Sequence, residues 1–178
     1  MCRIAGCYGK SDETIINKML DALPHRGPDD RGLHTFENAA LGHTRLSIVD
    51  VLKGHQPIIA NNGRTAIICN GEIYNFMELR KELTGKYEFK TSSDSEVILH
   101  LYREKGPDCV RDLDGMFCFA ISDGEDFMLA RDPIGIKPLY YGYVDGNIYF
   151  SSELGAMSLA GVSEVHEFPA GHYYTPKK

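Results

Sequence analysis

Apolar residues recur at helical spacing in several stretches of this chain, and polar residues suited to a helix start precede the first. Ser11, Asp12 and Glu13 combine a capping hydroxyl with acids for a first turn, and an apolar stripe follows until Pro24. The apolar positions of the predicted helices are Ile15, Ile16, Met19, Leu20 and Leu23; Phe76, Leu79 and Leu83; and Val97, Ile98, Leu101 and Tyr102. Shorter helical patterns cover residues 107–113 and 153–159.

Short apolar runs bounded by turn residues predict strands, most of them in the second half of the chain. The predicted strands are residues 3–8, 65–69, 116–122, 126–131, 139–143 and 148–151. Asp123-Gly124 and Asp145-Gly146-Asn147 divide the last four into two hairpins. Hairpins together with helix-linked strands predict an antiparallel α+β arrangement. The pattern alone leaves open whether helices cover a double sheet or a single mixed sheet.

Composition is typical of a single globular domain. The 178 residues are 43% hydrophobic and 25% charged, which allows a substantial core. The net charge of -6 argues against a general affinity for nucleic acid or anionic membranes. No apolar run approaches the roughly 20 residues that span a bilayer. The chain also does not begin with the basic and then apolar segments of a secretory signal.

The cysteines favour a reducing environment. Their number is odd and no two form a CxxC pair, so the sequence predicts neither a disulfide framework nor a zinc site. A cytoplasmic location is the simplest expectation.

Cys2 stands at the start of the first predicted strand. If an aminopeptidase removes Met1, Cys2 carries both a thiol and a free α-amine, which are a nucleophile and a candidate base on one residue. The reference pKa of an α-amine is roughly 7.7 to 8.0, where a general base works well near neutral pH. Position alone favours a plainer interpretation, in which Cys2 is a small buried residue that opens a strand.

Two polar stretches further along are candidates for ligand binding. Residues 25–32 mix glycine, proline and charges and predict a loop, for which a solvated turn is an equal interpretation. Arg45 presents a fork of donors suited to a carboxylate, although a surface salt bridge is the more common use of such a residue.

Asn70-Gly71 lies between the predicted strand 65–69 and a helical pattern. At a strand-to-helix junction the asparagine amide and the glycine N–H can point at one anion, as an oxyanion hole requires, although a plain turn is more common. Ser93 and Glu96 fit a capping box for the next helix, with Asp94 at its first position. The helix dipole explains an acid there, and the alternative is a carboxylate that faces a ligand's ammonium group.

Several stretches occur in one order that carries a family resemblance. They are Met1-Cys2, His25-Arg26-Gly27-Pro28-Asp29, Arg45-Leu46-Ser47-Ile48-Val49-Asp50, Asn70-Gly71-Glu72-Ile73-Tyr74-Asn75, Ser93-Asp94-Ser95-Glu96, Arg131-Asp132 with Gly135, and Ser151-Ser152-Glu153. From Met1 to about Tyr174 the chain resembles the glutaminase domain of class II glutamine amidotransferases, the N-terminal nucleophile type. Within that family the resemblance is strongest to glutamine-dependent asparagine synthetases. It implies a four-layer αββα fold with two antiparallel sheets.

The resemblance also implies a reaction and its catalytic residues. Cys2 would be the nucleophile and its freed amine the base. L-Glutamine would be hydrolysed to glutamate and ammonia through a γ-glutamyl thioester. The side chain of Asn70 and the backbone N–H of Gly71 would hold the oxyanion.

Recognition of the substrate's amino-acid head is implied as well. Arg45 would bind the α-carboxylate, and Glu72 and Asp94 would receive the α-ammonium group. The implied substrate-contacting residues are Arg45, Leu46, Ser47, Ile48, Val49, Asn70, Gly71, Glu72 and Asp94. The domain itself would need no metal and no cofactor.

The chain departs from the family pattern in two ways. Arg3 follows Cys2 where many relatives have glycine, and its longer side chain is expected to alter the pocket entrance or a partner interface. The Ser-Gly-Gly phosphate loop of the synthetase domain is absent. Residues 1–178 are therefore expected to form the glutaminase domain alone. An ammonia-accepting synthetase domain, C-terminal or separate, would be its partner and would use ATP and Mg. A homodimer is a further possibility.

Three alternatives remain open at this point. In the first, the domain serves another acceptor pathway, such as one for an amino sugar. In the second it is a non-catalytic module that keeps the fold and regulates a partner, and in the third it is an N-terminal-cysteine hydrolase for a different acyl donor. The acceptor, the oligomeric state and the processing of Met1 do not follow from these residues.

Overall fold

Two antiparallel sheets lie face to face between helices. The computed structural model describes residues 2–23, 27–46 and 54–176, and in these ranges one sheet has six strands and the other has five. Helices pack on the outer face of each sheet. The α+β class and the αββα layers that the resemblance implied are therefore confirmed.

The strands are short and mostly buried. In chain order they are β1 Arg3–Tyr8, β2 Asp30–Thr35, β3 Ala39–Arg45, β4 Ile58–Ile59, β5 Ala66–Ile73, β6 Gly115–Ser122, β7 Phe127–Arg131, β8 Tyr140–Val144, β9 Asn147–Ser151, β10 His166–Glu167 and β11 Tyr173–Tyr174. The first sheet has the order β10-β8-β9-β1-β3-β2, and the second has the order β11-β7-β6-β5-β4. Strand β1 therefore lies inside the first sheet, between β3 and β9.

The helices begin close to where the apolar periodicity places them. They are α1 Glu13–Asp21, α2 Phe76–Leu83, α3 Glu96–Lys105 and α4 Leu154–Leu159, with a 3-10 helix over Gly106–Asp112. The N-cap of α1 is Asp12, whose carboxylate accepts a hydrogen bond of 2.9 Å from the Ile15 N–H. The buried face of α1 is formed by Ile16, Met19 and Leu20, as predicted. In the described residues no helix is both long enough and apolar enough to cross a membrane.

Three apolar layers hold these elements together. The layer between the sheets includes Ile4, Phe127 and Phe150, all fully buried. Because side chains alternate along a strand, Ala5 and Cys7 point the other way and pack with α1 and α4. The same alternation places Cys2, two residues before Ile4, on the side of β1 that faces the second sheet.

The structure corrects three predictions about polar stretches. Strand β5 continues through Asn70 and Gly71 to Ile73, because its partner β6 pairs with it as far as Gly115. Asn70-Gly71 therefore lies inside a strand and not at a strand-to-helix junction. The end of the predicted loop 25–32 is also a strand, since β2 begins at Asp30 and pairs with β3.

The predicted capping box before α3 is also wrong. The Ser93 hydroxyl accepts a hydrogen bond from the Ser95 N–H, and the Glu96 carboxylate accepts from Lys90 and Thr91 instead of from Ser93. The N-cap is Ser95, so Asp94 precedes the helix. The Asp94 carboxylate accepts from the Ile73 N–H, which ties it to the end of β5.

Candidate active site

One pocket contains every predicted site residue that lies in the described ranges. These residues are Cys2, Arg45, Leu46, Asn70, Gly71, Glu72 and Asp94. The first three come from the first sheet and its continuation, and the next three come from β5 of the second sheet. The predicted residues Ser47, Ile48 and Val49, and the loop residues His25 and Arg26, lie outside the described residues. The roles of all these residues remain predictions.

Cys2 is half-buried at the pocket, and its thiol lies 3.5 Å from the Leu46 carbonyl oxygen. Its own carbonyl oxygen accepts a hydrogen bond of 3.0 Å from the Arg3 guanidinium. Arg3 in turn pairs with Glu153 at 2.6 Å and is only 4% exposed. The expectation that Arg3 alters the entrance or a partner interface stays a prediction, and the structure shows a buried side chain that holds the Cys2 backbone.

Asn70 presents a buried amide that is unused within the described structure. The residue is 2% exposed, and its Nδ2 has no hydrogen-bond partner among the described residues. A buried donor without a partner is costly, so its retention suits a ligand oxygen. Gly71 follows, and a Cβ there would lie 2.4 Å from the Met116 carbonyl oxygen. Only glycine allows this close approach of β5 to β6.

Asp94 is a buried acid whose charge is poorly solvated. It is 7% exposed, and its Oδ2 accepts a hydrogen bond of 2.8 Å from the Ile73 N–H. Burial raises the pKa of Asp94, and the charge of Glu72 adds to the rise while backbone hydrogen bonds oppose it. A cation placed between these two carboxylates would favour their charged forms. Arg45, 4% exposed, supplies the opposite charge at the same pocket.

Sequence reasoning missed Gln56 and Lys137, which also line the pocket. Gln56 stands among the turn-forming residues Gly54 and Pro57, and nothing in its local pattern distinguishes it from a surface residue. Lys137 lies at the end of a loop that the Asp132 carboxylate holds in place. The Asp132 carboxylate accepts backbone N–H groups from Phe117 and from four loop residues, Ile134 to Lys137.

A wider depression of about 620 Å³ lies elsewhere, between the 3-10 helix and the turn joining β6 and β7. Tyr102, Arg103, Asp123 and Asp126 are among its lining residues, and none of the predicted site residues is. Its greater size does not make it the better candidate, because no cysteine is among its described lining residues.

Comparison with known families gives one clear match. The family described as "Glutamine amidotransferase domain" matches residues 1–177, which is nearly the whole chain.

Curated relatives are similar over almost all of this chain. It is 44% identical to asparagine synthetase B [glutamine-hydrolyzing] of Escherichia coli (strain K12), over 97% of this chain and 32% of that protein. It is 46% identical to the probable asparagine synthetase [glutamine-hydrolyzing] of Dictyostelium discoideum, over 99% of this chain and 33% of that protein. The chain therefore spans about a third of the length of the curated relatives it matches.

Solved structures share the fold. The glutamine phosphoribosylpyrophosphate amidotransferase from B. subtilis, complexed with ADP and GMP, superimposes with a TM-score of 0.85 and 24% identity. The match covers 98% of this chain and 47% of that chain. At this identity the likeness supports the arrangement of sheets and helices, and it says nothing about substrate.

Proposed function

This chain belongs to the glutamine amidotransferase domain family, and from that premise we propose that its pocket hydrolyses the side-chain amide of L-glutamine to glutamate and ammonia. The observation that carries the proposal is the meeting of Cys2 and Asn70 in one pocket, although they come from different sheets. A thiol beside a buried amide donor suits nucleophilic attack on a carboxamide.

The reaction begins with activation of the Cys2 thiol. Removal of Met1, which lies outside the described residues, frees the α-amine that takes the thiol proton. The thiolate attacks the glutamine Cδ, and the carbonyl electron pair moves onto oxygen. Collapse of the tetrahedral intermediate breaks the C–N bond. The amine returns its proton to the leaving group, which departs as ammonia.

Hydrolysis of the γ-glutamyl thioester completes the cycle. The same amine takes a proton from water, and the resulting hydroxide attacks the thioester carbonyl. The C–S bond breaks, the sulfur regains a proton, and glutamate leaves. Each attack places negative charge on the substrate oxygen, which the Asn70 amide and the Gly71 N–H stabilise. Loss of one such donor typically costs about 2.7 to 4 kcal/mol in the transition state.

Recognition of a free amino acid follows from the charges of the pocket. Arg45 binds the α-carboxylate through its fork of donors, while Asp94 and Glu72 receive the α-ammonium group. A buried polar site rejects analogues that leave its groups unpaired. Glutamine with an acylated amine should therefore be a poor substrate, and this separates the proposal from hydrolysis of other amides.

The ammonia is proposed to serve a synthetase domain, C-terminal or separate. The curated relatives are glutamine-hydrolysing asparagine synthetases about three times as long as this chain. On that likeness we propose conversion of aspartate to asparagine in the whole protein. ATP and Mg would be bound by the synthetase domain, and the glutaminase chemistry derived above needs neither.

The test is glutamate release by protein whose mass shows that Met1 is absent. Cys2→Ala should abolish turnover, because it removes the sulfur that forms the thioester. Cys7→Ala is the matched control, since Cys7 is a buried cysteine of the same strand that faces α1 and α4. It should keep glutamine hydrolysis within a few-fold of wild type. Undiminished turnover in Cys2→Ala would refute the nucleophile assignment.

A further inference from the structure

Gln56 makes an unusual pair of hydrogen bonds with one residue of β5. Its Oε1 accepts from the Cys69 N–H at 2.6 Å, and its Nε2 donates to the Cys69 carbonyl oxygen at 3.1 Å. Gln56 is 8% exposed, so both bonds are shielded from water. A side-chain amide thus occupies both backbone groups of the residue immediately before Asn70.

These bonds extend the pairing between β4 and β5 beyond the last pair of backbone partners. Strand β4 pairs with β5 through Ile58↔Ile67 and Ile59↔Ala66. The same register would place Gln56 opposite Cys69, but Gln56 lies two residues before the start of β4. The Gln56 amide supplies the donor and the acceptor that the missing strand would have supplied. The end of β5 that carries Asn70 is therefore held at its edge by a side chain.

A second side chain reinforces the same peptide from the facing sheet. The Nε2 of His43 lies 3.2 Å from the Cys69 carbonyl oxygen. Burial lowers the pKa of His43 to about 4, so the ring is neutral near pH 7 and Nε2 donates as N–H. The Cys69 carbonyl oxygen thus accepts hydrogen bonds from Gln56 and from His43 of the first sheet. Along the opposite edge of β5, strand β6 pairs with it through Cys69↔Phe119.

We propose that Gln56 is a positioning residue for glutamine hydrolysis, which holds the Cys69 peptide so that Asn70 and Gly71 meet the oxyanion. The inference rests on the function proposed above. Oxyanion donors act only within about 2.7 to 3.1 Å of the developing charge, so a small shift of β5 would misplace both. Both polar atoms of Gln56 already bind Cys69, and its effect therefore passes through that peptide.

Two substitutions test the proposal. Gln56→Met keeps the length of the side chain and removes both hydrogen bonds. We expect kcat for glutamine to fall by about 10- to 100-fold, below the 10²- to 10³-fold loss typical of deleting a donor outright. KM should change by less than about threefold, since interactions made only in the transition state alter kcat.

Gln56→Glu gives a signature that a purely structural role would not produce. The carboxylate keeps the acceptor for the Cys69 N–H but lacks the donor for the Cys69 carbonyl. Burial raises the pKa of a carboxyl group, and the protonated form again has one donor and one acceptor, like the amide. The kcat of Gln56→Glu relative to wild type should therefore rise as the pH falls.

Inhibitor affinities provide a second readout. An aldehyde analogue of glutamine reacts with the Cys2 thiol to form a tetrahedral adduct whose oxygen occupies the oxyanion site, whereas glutamate binds without one. Gln56→Met should lower the affinity for the aldehyde by a factor at least ten times larger than the factor for glutamate. Amide exchange at Cys69 should also quicken, because its N–H loses a buried acceptor.

Ser122→Ala is the control for a lost buried hydrogen bond in the same sheet. The Ser122 hydroxyl donates to the Asp126 carbonyl at 2.9 Å, remote from the pocket. The Ser122→Ala substitution should lower the unfolding temperature and leave kcat near the wild-type value. A wild-type kcat in Gln56→Met, or an equal loss of affinity for the aldehyde and for glutamate, would overturn this inference and leave the proposed function intact. A processed wild-type protein without glutaminase activity would overturn the proposed function and this inference with it.

Discussion

At the residue scale, a hydrogen bond to its own carbonyl oxygen holds Cys2 in place. The Arg3 guanidinium donates to that oxygen and is fixed by Glu153, the N-cap residue of α4. The next backbone group is fixed too, because the Ile4 N–H donates to the Ser152 hydroxyl at 3.0 Å. In the proposed mechanism Cys2 becomes the first residue once Met1 is removed, so no preceding residue would restrain it. These bonds therefore replace a restraint that an internal residue has from its neighbour.

Arg3→Ala should lower kcat by roughly tenfold, equivalent to about 1.4 kcal/mol in the transition state. The physical reason is that Cys2 loses the donor on its carbonyl and gains freedom to rotate away from Asn70. Steady-state hydrolysis of glutamine measures the effect. Glu153→Gln keeps an acceptor for Arg3, so its loss should be smaller. A variant Arg3→Ala with wild-type kcat would contradict this account of the Cys2 backbone.

At the element scale, the start of α3 is tied to the segment that precedes it. The Glu96 carboxylate accepts from the Lys90 N–H at 2.7 Å and from the Thr91 N–H at 2.8 Å. The Thr91 hydroxyl donates to it at 2.6 Å, and His100 lies 3.6 Å away, one turn along the helix. Asp94 lies in the short segment closed by these contacts, so Glu96 limits where the Asp94 carboxylate can lie.

Glu96→Gln should reduce the free energy of unfolding by about 1.5 to 3 kcal/mol at pH 7, the usual value of hydrogen bonds to a charged group. Burial disfavours the charged form of Glu96, but the hydrogen bonds that it accepts outweigh burial and lower its pKa. The folded state therefore prefers the carboxylate. Its stabilisation is present above the ordinary glutamate pKa and is lost as the pH falls through the lowered value.

Denaturant unfolding of both proteins between pH 7 and pH 3 measures this dependence. The difference in free energy of unfolding between wild type and Glu96→Gln should narrow as the pH falls below the ordinary glutamate pKa of about 4.3. Glu104→Gln changes a more exposed acid on the same helix and should shift stability by no more than about 0.5 kcal/mol. If that difference in unfolding free energy stays constant with pH, the charge of Glu96 is not its source.

At the scale of the whole molecule, the site depends on the two sheets staying together. Cys2 and Arg45 approach the pocket from the first sheet, while Asn70 and Gly71 lie in the second. The layer between the sheets contains Phe127 of β7 and Phe150 of β9, with ring centroids 5.8 Å apart. Separation of the sheets would therefore remove the proposed oxyanion donors from the proposed nucleophile.

Phe150→Ala should destabilise the protein by about 3 to 5 kcal/mol, the usual cost of emptying such a core position. Glutaminase activity and circular dichroism, followed in urea, should disappear in one shared transition at a lower midpoint. Ile134→Ala, at a residue 80% exposed, should move that midpoint little. Activity lost well before the secondary structure would show that the sheets separate first and would contradict a single cooperative unit.

Local patterns in the sequence determined most helices and hairpins, because apolar periodicity records which face of an element is buried. The α1 stripe and the paired strands β8 and β9 were predicted close to their observed bounds. Ordered polar stretches indicated the family, and with it the αββα layers. The sequence also named the residue types that the proposed chemistry requires, such as the thiol of Cys2 and the amide of Asn70, and their roles stay predictions.

Only the tertiary structure decided how distant segments meet. Strand β5 extends past Asn70 because β6 continues beside it, and the Gln56 side chain reaches Cys69 because β4 begins two residues after Gln56. Arg3 is buried with an ion-pair partner, because Glu153 follows the neighbouring strand β9 and lies beside it. Such contacts join positions far apart in the chain, so neither partner's neighbours in sequence carry a sign of them. Composition and spacing supply the reacting groups, and pairing between strands sets their distances.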